Sequence, residues 1–443
     1  MVTSNTRDNS IPPKPLTLVG IGCGGRTRTY CELAARDPDR YRVIAGADPN
    51  PARLDLLRQL SNNPDFRGFP DDQALLAAGR LADVCIIGTQ DAYHIQPAIQ
   101  AMEVGYDLLL EKPIAGNPRE ILDLLEIADR LGRKVLVCHV LRYAPFYVKV
   151  HEILSSGELG ELISMDAREG VGPWHQAHSY VRGHWAVTGN ATPMLIAKSC
   201  HDLDILSWLA GRPCRHVNSY GSLGHFHTGN APEGAPTRCT DGCPHAETCP
   251  YNALLYATQH RSWLQWVMDG GATASDADVR AWLTHSPWGR CVYRCDNDAV
   301  DHQVVAMEFE HGLTATFTMT AFDHGRNLTL NGTKGVLRGG HAVKNMTGHD
   351  IMVARHDGTT AFHDLTILGG GYEDHGGADP GLIEAMDQEF AKPAHAMRSG
   401  LHASVESHLM GYAAESSRLT GQAVDMAAYR RGLEAPSAAR TPC

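Results

Sequence analysis

Between residues 16 and 140 short apolar runs alternate with helical patterns, and that regularity leaves few folds open to the chain. The runs are LTLVGI (16–21), RVIAGA (42–47), DVCIIG (83–88), YDLLL (106–110) and KVLVCH (134–139). Each is too short for a buried helix and rich in Val, Ile and Leu, as strands covered on both faces require. Between them, segments such as 117–131 repeat Ile121, Leu124, Leu125 and Ala128 at helical spacing. Strand–helix alternation closes through right-handed crossovers into a parallel, doubly wound sheet. A dinucleotide-binding α/β domain over 16–140 follows, preceded by a polar, Pro-rich tail at 1–15 that reads as disordered and lacks the apolar core of a secretion signal.

After residue 140 the pattern changes. A helix (144–155) leads to the strand ELISMDAR (161–168) and a helix near 193–210. A long, weakly patterned insertion spans about 223–297. Alternating strands follow at 304–310, 313–319 and 327–332, the first two joined by a tight His311-Gly312 turn, and helices near 380–392 and 402–419 close the chain. Strands without intervening helices make 141–443 an α+β domain with a largely antiparallel open sheet. The balance of 39 Lys and Arg against 50 Asp and Glu gives −11, which argues against a nucleic-acid partner. No run is long enough for a membrane span. Twelve cysteines spread over 443 residues read as reduced thiols of a cytoplasmic protein.

The first strand runs into Gly20, Gly22 and Gly25, a G-x-G-x-x-G turn that opens a helix. Glycines there permit the tight turn, the approach of a pyrophosphate and close helix–strand packing. Asp48, at the end of the next strand, would accept hydrogen bonds from an adenosine ribose and repel a 2′-phosphate, which favours NAD over NADP. Asp48-Pro49-Asn50 is equally a turn and helix cap. Arg26 and Arg53 would soften the repulsion, so NADP stays the second candidate. At the end of a later strand stands Glu111-Lys112-Pro113. A lysine there can meet a substrate hydroxyl beside a nicotinamide and serve as proton acceptor, with Glu111 orienting it; an exposed Glu-Lys pair before a helix that starts at a proline is the competing reading.

These features, together with Thr89-Gln90-Asp91-Ala92-Tyr93-His94, Arg142-Tyr143 and the His201-x-x-Asp204 helix, resemble the Gfo/Idh/MocA oxidoreductases, named after glucose-fructose oxidoreductase and inositol dehydrogenase. The resemblance implies an NAD-binding domain, a second α/β domain whose open sheet forms a homodimer or homotetramer interface, and a carbohydrate or cyclitol substrate. It implies Lys112 as catalytic base, His201 on the reacting hydroxyl, and Thr89 and His94 beside the cofactor. Where many members carry an aspartate four residues before the histidine, this chain has Ala197, followed by Lys198. The primary reading is an NAD-dependent oxidoreductase acting on a ring hydroxyl of a sugar, cyclitol or glycoside. An NAD-dependent glycoside hydrolase without net redox change is the alternative, and a non-enzymatic NAD or sugar sensor the third.

Further residues complete the expected site. Arg142, Tyr143, Asp202 and the loop-like segment carrying Trp174, His175, Arg182 and Trp185 would wall the substrate. Lys198, Arg168 and Arg182 would meet an anionic substituent, and His375, between glycines, would touch the ligand. Cys239, Cys243, Cys249 and Cys295 offer four thiolates for a structural Zn²⁺, with His245 as substitute. The spacing departs from paired C-x2-C, and incidental thiols are the competing reading.

Overall fold

The computed structural model describes residues 14–271, 273–365 and 375–435. The expected tail therefore lies almost wholly outside the described residues. The chain forms two compact units. The first comprises Met1–Ile114, Asp123–Val140 and, returning late in the sequence, Ala378–His402. The second comprises Ala115–Leu122, Leu141–Gly377 and Ala403–Cys443.

The first unit carries six parallel strands: β1 (Leu16–Ile21), β2 (Tyr41–Ala47), β3 (Arg67–Phe69), β4 (Val84–Ile87), β5 (Asp107–Leu110) and β6 (Val135–Val137), in the order β3-β2-β1-β4-β5-β6. Val84, Cys85, Ile86 and Ile87 are all buried, as are Leu108, Leu109 and Leu110. Unbroken apolar runs are thus explained by cover on both faces. Strand order reverses between β1 and β4, and the loops after β1, β4 and β5 leave from carboxyl ends near that switch point, where doubly wound sheets bind ligands.

The second unit is built on nine strands. They are β7 (Leu162–Val171), β8 (Cys214–Ser222), β9 (His302–Phe309), β10 (Thr314–Thr320), β11 (His324–Gly332), β12 (Gly335–Gly340), β13 (Ile351–Arg355), β14 (Thr360–His363) and β15 (Val424–Asp425). Their order is β14-β13-β12-β11-β7-β10-β9-β8-β15. Only the β7–β10 pair is parallel, so the sheet is mixed. Val305, Met307, Phe309, Ala315, Phe317 and Met319 are buried on the face covered by helix Cys200–Ala210. The β9–β10 link uses left-handed backbone at His311 (φ 58°) and Gly312 (φ 75°), which suits glycine and is tolerated by His.

The segment after β7, expected as loop, is helical: Pro173–His175 runs into a π-helical turn, Gln176–Val181. Apolar packing against the insertion explains this. Trp174 sits in a buried cluster with Ala253, Tyr256, Leu264, Val279, Leu283 and Trp288, its ring stacked on His260 at 3.7 Å. Ala177 and Val181 enter a second cluster with Phe226, Tyr251, Val292 and Tyr293. The insertion therefore has its own apolar interior.

His178 lies inside that interior, its Nδ1 2.5 Å from the Tyr256 hydroxyl. Burial, helped by the nearby Arg182 and His184, pushes its imidazole down to about 3. The unfolded chain takes up a proton near 6.5, so the stabilisation from the neutral ring is complete above that value. It is lost as pH falls from about 6.5 towards 3, at up to about 1.4 kcal/mol per pH unit. Urea unfolding followed by tryptophan fluorescence should show this slope, and His178→Gln should flatten it. An unchanged slope in the variant contradicts the assignment.

Candidate functional site

In the first unit the glycine turn is shaped by contacts no side chain would survive. Gly22 has φ +76°, and a Cβ there would stand 2.8 Å from the Thr89 backbone nitrogen. A Cβ on Gly20 would meet Thr27 Cγ2 at 2.7 Å, so helix Gly25–Ala35 packs directly on β1. Asp48 is buried and braces this turn. Its Oδ2 accepts from the Cys23 backbone N–H at 2.8 Å and its Oδ1 from that of Asn50 at 2.8 Å. Arg53 Nη1 stands 3.9 Å from the same carboxylate. Asn50 caps the next helix, its Oδ1 accepting from the Ala52 N–H at 3.0 Å, and because a carboxylate has lone pairs beyond its two bonds, Asp48 keeps acceptor capacity for a ribose.

The loops after β4 and β5 are tied together by a buried histidine. His94 Nδ1 lies 2.7 Å from the Pro113 carbonyl and Nε2 3.2 Å from that of Thr89. Lys112, half-buried, precedes a cis bond to Pro113. Beside it Glu111 is almost fully buried with both oxygens engaged. Oε1 accepts from Arg26 Nε at 3.0 Å and from Tyr30 Oη at 2.5 Å, while Oε2 accepts from the Lys112 backbone N–H at 2.9 Å. Burial alone would raise this acid, but the Arg26 guanidinium, Lys112 and the donated hydrogen bonds outweigh it and hold the carboxylate below its ordinary range. Arg26 turns its outer edge to Asp379, with Nη1 2.8 Å from Oδ2 and Nη2 2.6 Å from Oδ1. Tyr30 and Asp379 were not singled out as partners of this loop from the sequence. An i, i+4 pairing of Arg26 with Tyr30 was a local signal for the first, and none existed for the second.

In the second unit, His201 is buried in the first turn of helix Cys200–Ala210. The residue after it, Asp202, is held by Arg326 (Nε–Oδ1 2.7 Å), whose Nη2 also reaches Glu169 Oε1 at 2.5 Å. Lys198 Nζ approaches Glu169 at 3.3 Å. Two buried carboxylates thus share one guanidinium. Burial and the neighbouring Glu169 charge push Asp202 up despite Arg326, whereas Arg326 and Lys198 overcome the burial of Glu169 and keep it ionised. Arg326 and Glu169 were missed because β11 and β7 give no local sign that their charged residues point inward.

Several predicted site residues have structural employment. Arg142 forms a buried fork on Asp204, Nε–Oδ2 and Nη2–Oδ1 both 2.7 Å, and Ser407 also donates to Asp204 at 3.1 Å. Tyr143 is buried beside it in sequence. Arg182 is buried and donates to the backbone carbonyls of Arg290 (2.7 Å) and Tyr251 (2.5 Å), so with Trp174 it serves the interior of the insertion. His175 and Trp185 remain half-buried near Tyr180. Exposed Arg168 pairs with Asp323 at 3.0 Å. The side chain of His375 lies outside the described residues.

The zinc expectation is corrected. Among the described residues no group of three or more His, Cys, Asp or Glu side chains is arranged to hold a metal ion. Cys239, Cys243 and Cys249 do line one cavity, but its fourth thiol is Cys291, and Cys295 Sγ instead donates to the Cys291 carbonyl at 3.3 Å. A cation already stands there, since Arg182 Nη2 is 3.8 Å from Cys239 Sγ. The eleven described cysteines form no disulfide with one another. No helix among the described residues is long and apolar enough to cross a membrane.

Comparison with known proteins agrees with this architecture. Residues 16–139 match the family model described as an oxidoreductase family with an NAD-binding Rossmann fold, and residues 151–362 match its C-terminal α/β domain. The YteT protein of Bacillus subtilis is 25% identical over 83% of this chain and 87% of its own length. The inositol 2-dehydrogenase of Leifsonia xyli is 30% identical over 45% of this chain, which spans about half (55%) of that relative. Among solved structures, an oxidoreductase from Agrobacterium radiobacter in complex with NAD⁺, L-tartaric acid and magnesium superposes with TM-score 0.66 at 15% identity, covering 93% of this chain and 99% of that one. Scyllo-inositol dehydrogenase from Lactobacillus casei, with bound NAD(H) and scyllo-inositol, gives 0.63 at 15% identity, covering 94% and 100%. With the two domain models of one family together matching most of its length, the chain belongs to the Gfo/Idh/MocA oxidoreductase family.

Proposed function

We propose that this protein oxidises a ring hydroxyl of a cyclitol, sugar or glycoside with NAD⁺. The observation that carries the reading is the Lys112 loop, fixed at the carboxyl end of β5 through both oxygens of Glu111 and through His94. The dinucleotide fits the residues present: the cradle at Gly22, which a Cβ would fill, and the amino end of helix Gly25–Ala35 would take the pyrophosphate, with Asp48 at the ribose. When bound, NAD⁺ accepts a hydride. Lys112 takes the hydroxyl proton, and the rigid loop keeps its stem at one height above the sheet. His201, by the family resemblance, is the group assigned to the reacting hydroxyl. Structural relatives whose names specify inositol or UDP-sugar ligands support a polyhydroxylated substrate. NADP ranks second, because Asp48 would face the extra phosphate.

The open sheet face supports a homodimer or homotetramer. Tyr220, Val304, Thr318 and Arg168 form one cross-strand row on it, and Tyr220 is 62% and Phe362 46% exposed. Light scattering should return a multiple of 48.2 kDa; a monomer at micromolar concentration contradicts this.

Incubation with NAD⁺ and a panel of cyclitols, aldoses, uronic acids and aryl glycosides should accumulate NADH with at least one member. Lys112→Ala should lower kcat/KM on it by about a hundredfold or more. Aglycone release without NADH would replace the reading by redox-neutral hydrolysis. Gly22→Ala, which forces a side chain against Thr89, should weaken NADH binding by about tenfold or more in a fluorescence titration; unaltered affinity would remove the glycine turn from the cofactor site.

A further inference from the structure

We propose that Cys239 and Cys249 form a thiol oxidation site in the insertion, at which a hydroperoxide converts the two thiols to a disulfide. The inference concerns the second unit alone and does not depend on the reading of Lys112. Cys239, Cys243, Cys249 and Cys291 line one cavity, and a single guanidinium joins the segments that carry three of them. Arg182 Nη2 lies 3.8 Å from Cys239 Sγ and donates at 2.5 Å to the carbonyl of Tyr251, just beyond Cys249. Its Nε donates at 2.7 Å to the carbonyl of Arg290, the neighbour of Cys291. Arg182 is 3% exposed, and among the described residues its Nη1 has no hydrogen-bond acceptor. Its charge is also felt at the Tyr256 hydroxyl, which is engaged with His178. A buried donor left without an acceptor is costly, and oxygen is what the first oxidation of a thiol adds beside it.

The reaction balances with hydrogen peroxide as the oxidant. The Cys239 sulfur attacks one peroxide oxygen and the O–O bond breaks, which leaves a sulfenic acid and one water. The Cys249 sulfur then attacks the sulfenic sulfur; the S–O bond breaks, the S–S bond forms and a second water leaves. Two thiols have given up two electrons and two protons, and the peroxide has become two waters. Negative charge gathers on oxygen during both steps, and Arg182 is the cation placed to meet it. Burial pushes the Cys249 thiol up, against the pull of the Tyr251 N–H and Arg182, so the first attack falls to Cys239. Cys291 is excluded as the second thiol by register. The Cys239 N–H donates to Gly289 at 3.0 Å and the Cys291 N–H to Thr237 at 2.9 Å, about an antiparallel bridge of Arg238 with Arg290. Cys291 therefore stands diagonally from Cys239, at about 7–8 Å, beyond what a disulfide spans on fixed backbone. Cys249 lies in a turn outside that bridge and is half-buried, which leaves it room to approach.

The test uses the full-length protein, reduced, freed of reductant and exposed to hydrogen peroxide. It is then alkylated, digested with trypsin and a Glu-specific protease, and weighed by mass spectrometry before and after reduction. Cleavage after Glu247 parts Cys239 and Cys243 from Cys249. The expected product is a reducible link between those two peptides, with Cys243 alkylated. Cys249→Ser should halt the reaction at a sulfenic acid on Cys239, trapped by dimedone. Arg182→Gln should slow disulfide formation by about tenfold or more, and Arg182→Lys, which keeps the charge, by about threefold at most. Dimedone capture in Cys249→Ser decides the matter if Arg182→Gln does not fold. Cavity thiols that are all alkylated after peroxide, as before it, would overturn the proposal. So would a link made through Cys243 or Cys291 in place of Cys239, or an Arg182→Gln rate equal to that of the unsubstituted chain.

Discussion

The buried Glu111 carboxylate is the fixed point of the first unit. An ionised acid out of water is tolerated only when its oxygens are satisfied, and Glu111 meets that demand with Arg26, Tyr30 and the Lys112 backbone. Two of these donors come from the helix opened by the glycine turn. The turn that would cradle a dinucleotide and the loop that presents a lysine are therefore held by one carboxylate. His94 adds a second tie, linking the loops after β4 and β5 through the Thr89 and Pro113 carbonyls. Rigid placement of a proton acceptor is what a hydride-transfer site needs, because the reacting groups gain most when their geometry is paid for in folding.

The second unit follows the same rule with different residues. Arg142 on Asp204, and Arg326 between Asp202 and Glu169, are buried charge clusters anchored on helix Cys200–Ala210. Asp202 and Asp204 both follow His201 closely, so the helix that carries it is secured at its third and fifth positions after the cap. The aspartate absent at Ala197 is not replaced locally by another acid; Lys198 follows, and it leans on Glu169 from the neighbouring strand.

What was legible in the sequence was what local physics controls. Unbroken Val, Ile and Leu runs gave five of the six parallel strands, and the helix expected at 117–131 spans Pro118–Leu131. Strand β3, Arg67-Gly68-Phe69, carries no apolar run and was not legible; it pairs only at the sheet edge. The second sheet was seen through β9, β10 and β11, whose alternation is clear, while the short, Gly-rich β12 and its neighbours β13 and β14 gave little signal. The helix near 193–210 breaks at Lys198 into Met194–Ala197 and Cys200–Ala210. Local motifs pointed to Gly22 and Lys112, whereas the distant partners of buried polar side chains left no sign in the sequence. Arg142 and Arg182, expected at the substrate, bond to Asp204 and to the carbonyls of Tyr251 and Arg290, acceptors far along the chain. The cysteines misled in the same way, since spacing shows proximity along the chain and not where each sulfur points.

On the function proposed above, the amine of Lys112 addresses the carbon that gives up hydride. A crystal structure of the protein with NAD⁺ bound tests it most directly. Lys112 Nζ should face the nicotinamide ring, with Glu111 still bonded to Arg26 and Tyr30. An Nζ directed into bulk solvent, away from the ring, would contradict it.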